Sequence, residues 1–346
     1  MKLKVGVVGA GFITKELHLP VWTNLRDVHV TAVCDKNTSL AKEVSSRFGI
    51  KHVFSDVTDM LTKEKLDLVD ICTPPKTHSF LSIQAMEAGC NVLVEKPMAV
   101  SVREAKEMVD TSKKYGVRLC VVHQNLFNPA VMRARRMVEG GVIGKLLNVD
   151  VRTFESKMSA MCLNRNHWCH TLLGGIFCEI LPHPIYLLQV FLREADPVHV
   201  LSEKLGDRDW MKKDELMVSV EAQNGLGSLG VSCNSLVHGD TFDILGTEMA
   251  LRGDIWGRTV ITYKPHTQSP LSVGKSNLHV GLQSFKVMGT TASTVLSMIR
   301  GVIRARAHYT FISKLVDSIR NNKKAPTTAE DGLETVEFLE AVCKKI

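Results

Sequence analysis

Three groups of residues have the types and spacing to do chemistry. The first is Gly9-Ala10-Gly11-Phe12-Ile13-Thr14, which follows the apolar run Lys4–Val8 and opens a helix. Gly9 permits a tight turn. Gly11 lets the backbone approach a pyrophosphate held on the amides and positive dipole of the helix N-terminus, so Gly9, Gly11, Phe12 and Ile13 are expected to form the nucleotide loop. Thr14 stands where the fingerprint usually has Gly or Ala. Asp35 ends the run Val28–Cys34, where a carboxylate accepts hydrogen bonds from ribose hydroxyls and repels a 2′-phosphate. The expected cofactor is therefore NAD, with NADP less favoured; Lys36 is the one neighbour that would accommodate the extra phosphate.

The second group lies at two strand ends. Thr73-Pro74-Pro75 with Thr77 and His78 stops one strand; it reads either as a helix-start turn or as a cofactor contact, because dinucleotides lie outside the carboxyl ends of parallel strands. Glu95-Lys96-Pro97 follows the run Asn91–Val94. Lys96 is either a solvated loop charge or an ammonium that hydrogen-bonds a substrate oxygen near the nicotinamide and stabilises its developing charge.

The third group spans Leu173–Pro184, where Glu179 and His183, four residues apart, share a face if the segment is helical. Cys162, His167, Cys169, His170 and Cys178 crowd potential metal ligands just upstream. They form neither a Cys-x-x-Cys nor a His-x-x-x-His pair, so no metal is expected. Trp168 lacks basic–aromatic neighbours, which favours a substrate-facing or core role over nucleic-acid stacking.

These residues need a scaffold, and the chain has two styles of sequence to supply it. Up to His123, the strand candidates Lys4–Val8, Val28–Cys34, Leu66–Ile71, Asn91–Val94 and Arg118–Val122 alternate with the helical stretches Ser39–Phe48, His78–Glu87 and Val102–Lys114. Continuous apolar strands between helices predict a doubly wound parallel sheet, a Rossmann-type α/β domain over residues 1–123. From residue 124, a helix at Pro129–Glu139 precedes alternating segments at Leu147–Phe154, Leu216–Ala222, Gly227–Cys233, Phe242–Gly246 and Thr259–Tyr263. Such alternation predicts an α+β domain, 124–346, with a large, mainly antiparallel open sheet. Helices at 308–345, one capped by Thr328, are candidates to pack back on the first domain.

Composition narrows the function. The 346 residues are 45% hydrophobic and 23% charged, a globular balance that argues against disorder. A net charge of +7, dispersed along most of the chain, is too mild to indicate nucleic acid. Nine cysteines, an odd number set in apolar runs, read as reduced thiols of a cytoplasmic protein. Neither a secretory signal nor a membrane-spanning run is visible. The basic cluster Arg300, Arg304, Arg306 and Lys314 beside the apolar stretch Val295–Ile303 is read as a solvated helix face, with a membrane-surface helix or an anion site as alternatives.

In order and spacing, the Gly9–Ile13 loop, Thr73-Pro74-Pro75 with His78, Glu95-Lys96-Pro97, and Gly174-Gly175 through Glu179 and His183 resemble the glucose-fructose oxidoreductase, inositol dehydrogenase and rhizopine-catabolism family of NAD(P)-dependent enzymes. The triplet at Lys96 is the most specific element. The resemblance implies hydride transfer between NAD and a secondary hydroxyl or ketone of a sugar, inositol or other cyclic polyol. It further implies a homodimer or homotetramer formed through the C-terminal sheet. It gives Lys96 and His183 the proton chemistry, without settling which is the base, and Glu179, where Asp is more usual, the orienting of substrate. Thr73, Pro74, Pro75, His78, Glu95 and Lys96 join Gly9, Gly11, Phe12, Ile13 and Asp35 as expected cofactor contacts; Asn125, His167 and Trp168 join Lys96, Glu179 and His183 on the substrate side. Two rival functions are an NAD-retaining glycosidase that works by transient oxidation and elimination, and a non-catalytic regulator that binds NAD and a sugar.

Overall fold

The structure is a computed structural model that describes residues 2–299 and 306–346, with backbone only for Lys286, Thr294 and residues 297–299. Arg300 and Arg304 of the basic cluster, and the end of the run Val295–Ile303, lie outside the described residues. The chain forms two compact units. One holds the chain through Gln124 together with a later stretch that ends at Glu337; the other runs from Asn125 and takes Phe338–Ile346.

The first unit is built on a six-stranded sheet of order β3-β2-β1-β4-β5-β6. Its strands are β1 (Leu3–Val8), β2 (Val28–Cys34), β3 (His52–Phe54), β4 (Leu68–Ile71), β5 (Asn91–Val94) and β6 (Leu119–Val121). All are parallel. β1, β4 and β5 are central and almost wholly buried, which is why they read as unbroken apolar runs. A π-helical turn at Thr14–His18 leads into α1 (Leu19–Trp22), and α2 (Thr38–Phe48), α3 (Val57–Lys63), α4 (His78–Glu87) and α5 (Val102–Tyr115) follow the later strands. Ser101 caps α5, accepting from the Glu104 amide at 3.3 Å, as its spacing to Glu104 predicts. Val69, Ile71, Met86, Val92, Met98 and Met108 centre the core between these layers. Strand β3 and helix α3 carry no clear periodic signal and were not expected from the sequence.

The second unit carries a seven-stranded sheet of order β13-β12-β11-β7-β10-β9-β8. Its strands are β7 (Leu146–Phe154), β8 (Asp196–Glu203), β9 (Glu215–Ala222), β10 (Gly225–Ser232), β11 (Gly239–Gly246), β12 (Ala250–Asp254) and β13 (Thr259–Tyr263). Every pairing is antiparallel except β7 with β10, so the sheet is mainly antiparallel, as the alternation predicts. α6 (Pro129–Glu139), α7 (Ala160–Leu163), α8 (Ile176–Ile180), α9 (Pro182–Gln189) and α10 (Pro270–Ile299) belong to this unit. α11 (Arg306–Arg320) belongs to the first unit and packs on α1. α12 (Ala329–Cys343) begins after Thr328, whose hydroxyl accepts from the Asp331 amide at 3.1 Å while the Asp331 carboxylate accepts from the Thr328 amide at 2.7 Å. All nine cysteines are free and eight are buried.

Candidate active site

Strand β1 delivers the chain to Gly9, whose φ is +95°. A Cβ there would lie 2.6 Å from the Cys72 carbonyl oxygen, so both the backbone conformation and the close approach to the end of β4 demand glycine. Gly11 is exposed, and a Cβ on it would meet nothing within 4 Å; the room above the loop is what a pyrophosphate needs. Thr14 compensates for the missing third glycine by tying the loop to itself, its hydroxyl donating to the Gly9 carbonyl at 2.6 Å. Asp35 is fixed against the same loop. Its carboxylate accepts from the Ala10 amide at 2.7 Å and from the Asn37 amide at 2.8 Å, which leaves oxygen lone pairs for ribose hydroxyls. Phe12 is exposed beside the opening. An open glycine loop at a helix start and a fixed carboxylate at the end of β2 together fit an adenine dinucleotide.

Below the loop lies a buried charge network that no sequence pattern announced. His18, fully buried, places Nδ1 2.8 Å from Asp70 and Nε2 2.9 Å from Glu95. Burial alone would lower its pKa, but the Asp70 carboxylate raises it well above the ordinary value. The ring is therefore an imidazolium donating to two carboxylates. Burial would raise the Glu95 carboxyl, yet the hydrogen bond and charge of His18 bring it down to about 2. Trp22, one turn beyond His18, donates its indole N–H to Asp70 at 2.6 Å. Burial pushes the neighbouring Cys72 thiol up to about 12, so it stays neutral.

Two residues expected at the cofactor have side chains that face inward. Glu95 is turned inward: one oxygen faces His18 and the other accepts from the Lys96 amide at 3.1 Å. Glu95 thus fixes the backbone that carries Lys96, which is partly exposed. His78 is also enclosed, its ring nitrogens 2.8 Å from the Pro97 carbonyl and 2.7 Å from the Thr73 carbonyl. It clamps the turn after β4 to the turn after β5, and burial lowers its pKa. Of the first turn, Thr73 is partly exposed and Pro74 exposed, while Pro75 is buried. Among the described residues, two sets have potential metal-ligand atoms within 4.8 Å of one another, His18–Asp70–Cys72 and His18–Glu95–His308. Both rely on a His18 nitrogen that already faces a carboxylate, and neither includes a residue from 162 to 183.

In the second unit, Gly174 (φ +75°) and Gly175 (φ +59°) turn the chain into α8; a Cβ on Gly174 would lie 2.6 Å from the Cys343 thiol. α8 and α9 are separated only by Leu181, which keeps helical dihedrals of −57° and −32°. Pro182 and Pro184 interrupt the hydrogen-bond ladder without ending the helical path. Glu179 and His183 therefore keep their four-residue relation and are both partly exposed. Sequence reasoning missed Tyr186, one turn beyond His183 and buried. Its hydroxyl is 2.8 Å from His183 Nδ1 and accepts from the Asn125 amide at 3.4 Å. The tyrosine hydroxyl and His183 Nδ1 share this hydrogen bond, which fixes the orientation of the ring. The His-x-x-Tyr spacing was the available signal. His167 and Trp168 have ring centroids 5.1 Å apart, and His167 Nδ1 accepts from the Cys169 amide at 3.4 Å, so this pair caps a short turn. Both rings remain partly exposed.

Comparison with known proteins matches residues 3–123 to an oxidoreductase family with an NAD-binding Rossmann fold, and residues 131–252 to the Gfo/Idh/MocA C-terminal domain. D-glucoside 3-dehydrogenase of Escherichia coli is 33% identical over 150 residues, which is 43% of this chain and 43% of that protein, so the match spans less than half of either. Levoglucosan dehydrogenase of Pseudarthrobacter phenanthrenivorans is 29% identical over 287 residues, 71% of this chain and 72% of that one. In fold, the chain is similar to the WlbA dehydrogenase from Bordetella pertussis, solved with NADH and UDP-GlcNAcA, with a TM-score of 0.81 and 21% identity over 100% of this chain and 96% of that one. With matches to both of its domains, the chain belongs to the Gfo/Idh/MocA family of NAD-binding oxidoreductases.

Proposed function

We propose that the protein oxidises a secondary hydroxyl of a sugar or cyclic polyol to a ketone with NAD, or runs the reverse reduction. The observation that carries this reading is the Glu95–Lys96 arrangement: a buried, charged network holds the backbone of a partly exposed lysine at the end of β5. An ammonium so held can donate a hydrogen bond to the substrate oxygen and stabilise negative charge on it. When bound, NAD supplies the hydride acceptor for the carbinol carbon. Loss of hydride leaves a protonated carbonyl unless the hydroxyl proton departs, and His183, whose ring is steadied by Tyr186, is suited to take it. Glu179, on the same helical path, is proposed to orient a neighbouring hydroxyl, with Asn125, His167 and Trp168 as further substrate contacts. The named relatives that act on glucosides and levoglucosan support a sugar-like substrate.

Incubating the protein and NAD with a panel of sugars and cyclic polyols, while following reduced cofactor, tests the proposal. Net reduction supports it. A cleaved product without net reduction would replace it with the NAD-retaining glycosidase, and binding with neither outcome would make the protein a regulator. Cofactor choice has a separate test. Asp35 is held against the loop by the Ala10 amide, so Asp35→Ser is expected to shift the NAD-to-NADP ratio of kcat/KM toward NADP by about tenfold or more, a difference of about 1.4 kcal/mol. An unmoved ratio would remove Asp35 as the selector.

A homodimer or homotetramer through the C-terminal sheet remains part of the proposal, supported by the exposed Leu201, Met217 and Leu226 on β8, β9 and β10. Nine free thiols support a reducing, cytoplasmic setting. Among the described residues, no helix is long and apolar enough to cross a membrane.

A further inference from the structure

Helix α10 is 30 residues long and has two unlike faces. One packs on β13: Gln283 accepts from the Thr262 amide at 2.9 Å and donates to the Thr262 carbonyl at 2.9 Å, and His279 lies 3.0 Å from the Thr262 hydroxyl. Val287 and Thr290 continue this partly buried stripe at helical spacing. The opposite face is apolar and bare. Leu278, Leu282, Phe285 and Met288 are 63%, 57%, 72% and 67% exposed, and Leu271 and Leu296 extend the row at either end. Scattered exposed leucines need no explanation, but a continuous row along one helix marks a binding surface.

Charge decides what binds it. Between Asp254 and Asp317 the sequence has eight Lys and Arg and no Asp or Glu. Lys275, on the helix itself, is exposed. A second copy docking face to face would bring together two copies of a helix whose sequence has Lys275 and Lys286 and no Asp or Glu, with no carboxylate on either helix to offset the repulsion. A surface that is apolar to receive leucine and phenylalanine side chains, and anionic to receive the helix's exposed lysine, is the headgroup region of an anionic bilayer. We propose that α10 is an interfacial helix that lies in the plane of an anionic membrane, its Leu278–Leu282–Phe285 face inserted among the acyl chains. Its composition suits lying on a membrane, and no described helix qualifies to span one. The enzyme would then work at a membrane surface, whatever its substrate.

Sedimentation of the full chain with vesicles tests this, using phosphatidylcholine mixed with phosphatidylglycerol and phosphatidylcholine alone. We expect binding to the anionic vesicles that exceeds binding to neutral ones by about tenfold or more and weakens as salt is raised. The triple change Leu278→Ser, Leu282→Ser and Phe285→Ser replaces exposed side chains, so it should leave the thermal midpoint unchanged while abolishing vesicle binding. Lys275→Glu should weaken binding to anionic vesicles alone. If the wild type stays in the supernatant with anionic vesicles, or the triple variant binds as well as the wild type, the proposal fails. It also fails if the wild type is a dimer in solution that the triple change converts to a monomer, because the face is then covered by a second copy. NAD-dependent turnover, measured without vesicles, separates these outcomes from failure of the proposed function.

Discussion

Replacing Lys96 with methionine is expected to reduce kcat by at least about 10²-fold, while NAD affinity stays within a few-fold of wild type. Methionine keeps the length and loses the ammonium, so the substrate oxygen loses its donor. The Glu95 bond to the residue 96 amide remains, because it uses the backbone. His183→Ala is expected to fall by a similar factor for a different reason: the proton has no acceptor. The pH dependence of kcat then assigns the base. If His183 takes the proton, His183→Ala loses the acidic limb of the profile and Lys96→Met keeps it at a lower plateau. Stopped-flow hydride transfer and cofactor titration on both variants provide the measurements. Near-normal turnover in either one would strike that residue from the mechanism, and loss of NAD binding in His183→Ala would mean the site is arranged differently.

What the sequence made legible follows from burial. β2, β5 and β13 occur at the residues their patterns predict, since strands buried on one or both faces must be apolar at fixed intervals. β8 has no buried residue, so as an edge strand it had no hydrophobic pattern to display. β12 carries Gly253, where a Cβ would sit against the Phe242 ring; the packing is supplied by the opposite strand. α10 escaped notice because its helical periodicity is carried by His279, Gln283 and Thr290 on the packed side, while its apolar residues face outward. The nucleotide loop was legible because a turn and a close approach need glycine locally. The His18 network was not, because its partners lie 52 and 77 residues away, and a histidine after a glycine motif looks the same whether it is solvated or bonded to two carboxylates. His78 shows the same limit: its place at a strand end was readable, but the direction of its ring was not.

The buried histidines of the first unit set its acid limit. Burial pushes His123 down to about 3, and burial together with the charge of His18, 5.6 Å away between ring centroids, pushes His308 down to about 4. Both are neutral in the folded unit at pH 5, whereas in the unfolded chain they take up protons below about 6.5. The unfolded state thus binds more protons, and stability falls as pH falls from about 6.5, by about 2.7 kcal/mol per pH unit for the two together. Other members of the network do not alter this window. His18 has a raised pKa, so its contribution is complete below about 6.5 and is lost only as pH rises through its folded value. Glu95, held at about 2, contributes fully above its unfolded value near 4.5 and loses that contribution only in stronger acid. His78, also lowered by burial, adds to the fall. Between pH 6.5 and 4.5 the first unit should therefore lose on the order of 5 kcal/mol, enough to unfold a domain of ordinary stability. Amide exchange of β1, β4 and β5 reports on this unit separately from the other. The expected result is steeply rising opening in these strands below pH 6.5, after correction for intrinsic exchange rates, and a clearly shallower slope in His308→Phe, which keeps a ring and removes the titration. Protection that stays level to pH 4.5, or an unchanged slope in the variant, would show that these rings take up protons while folded and that the network is wetter than its burial implies.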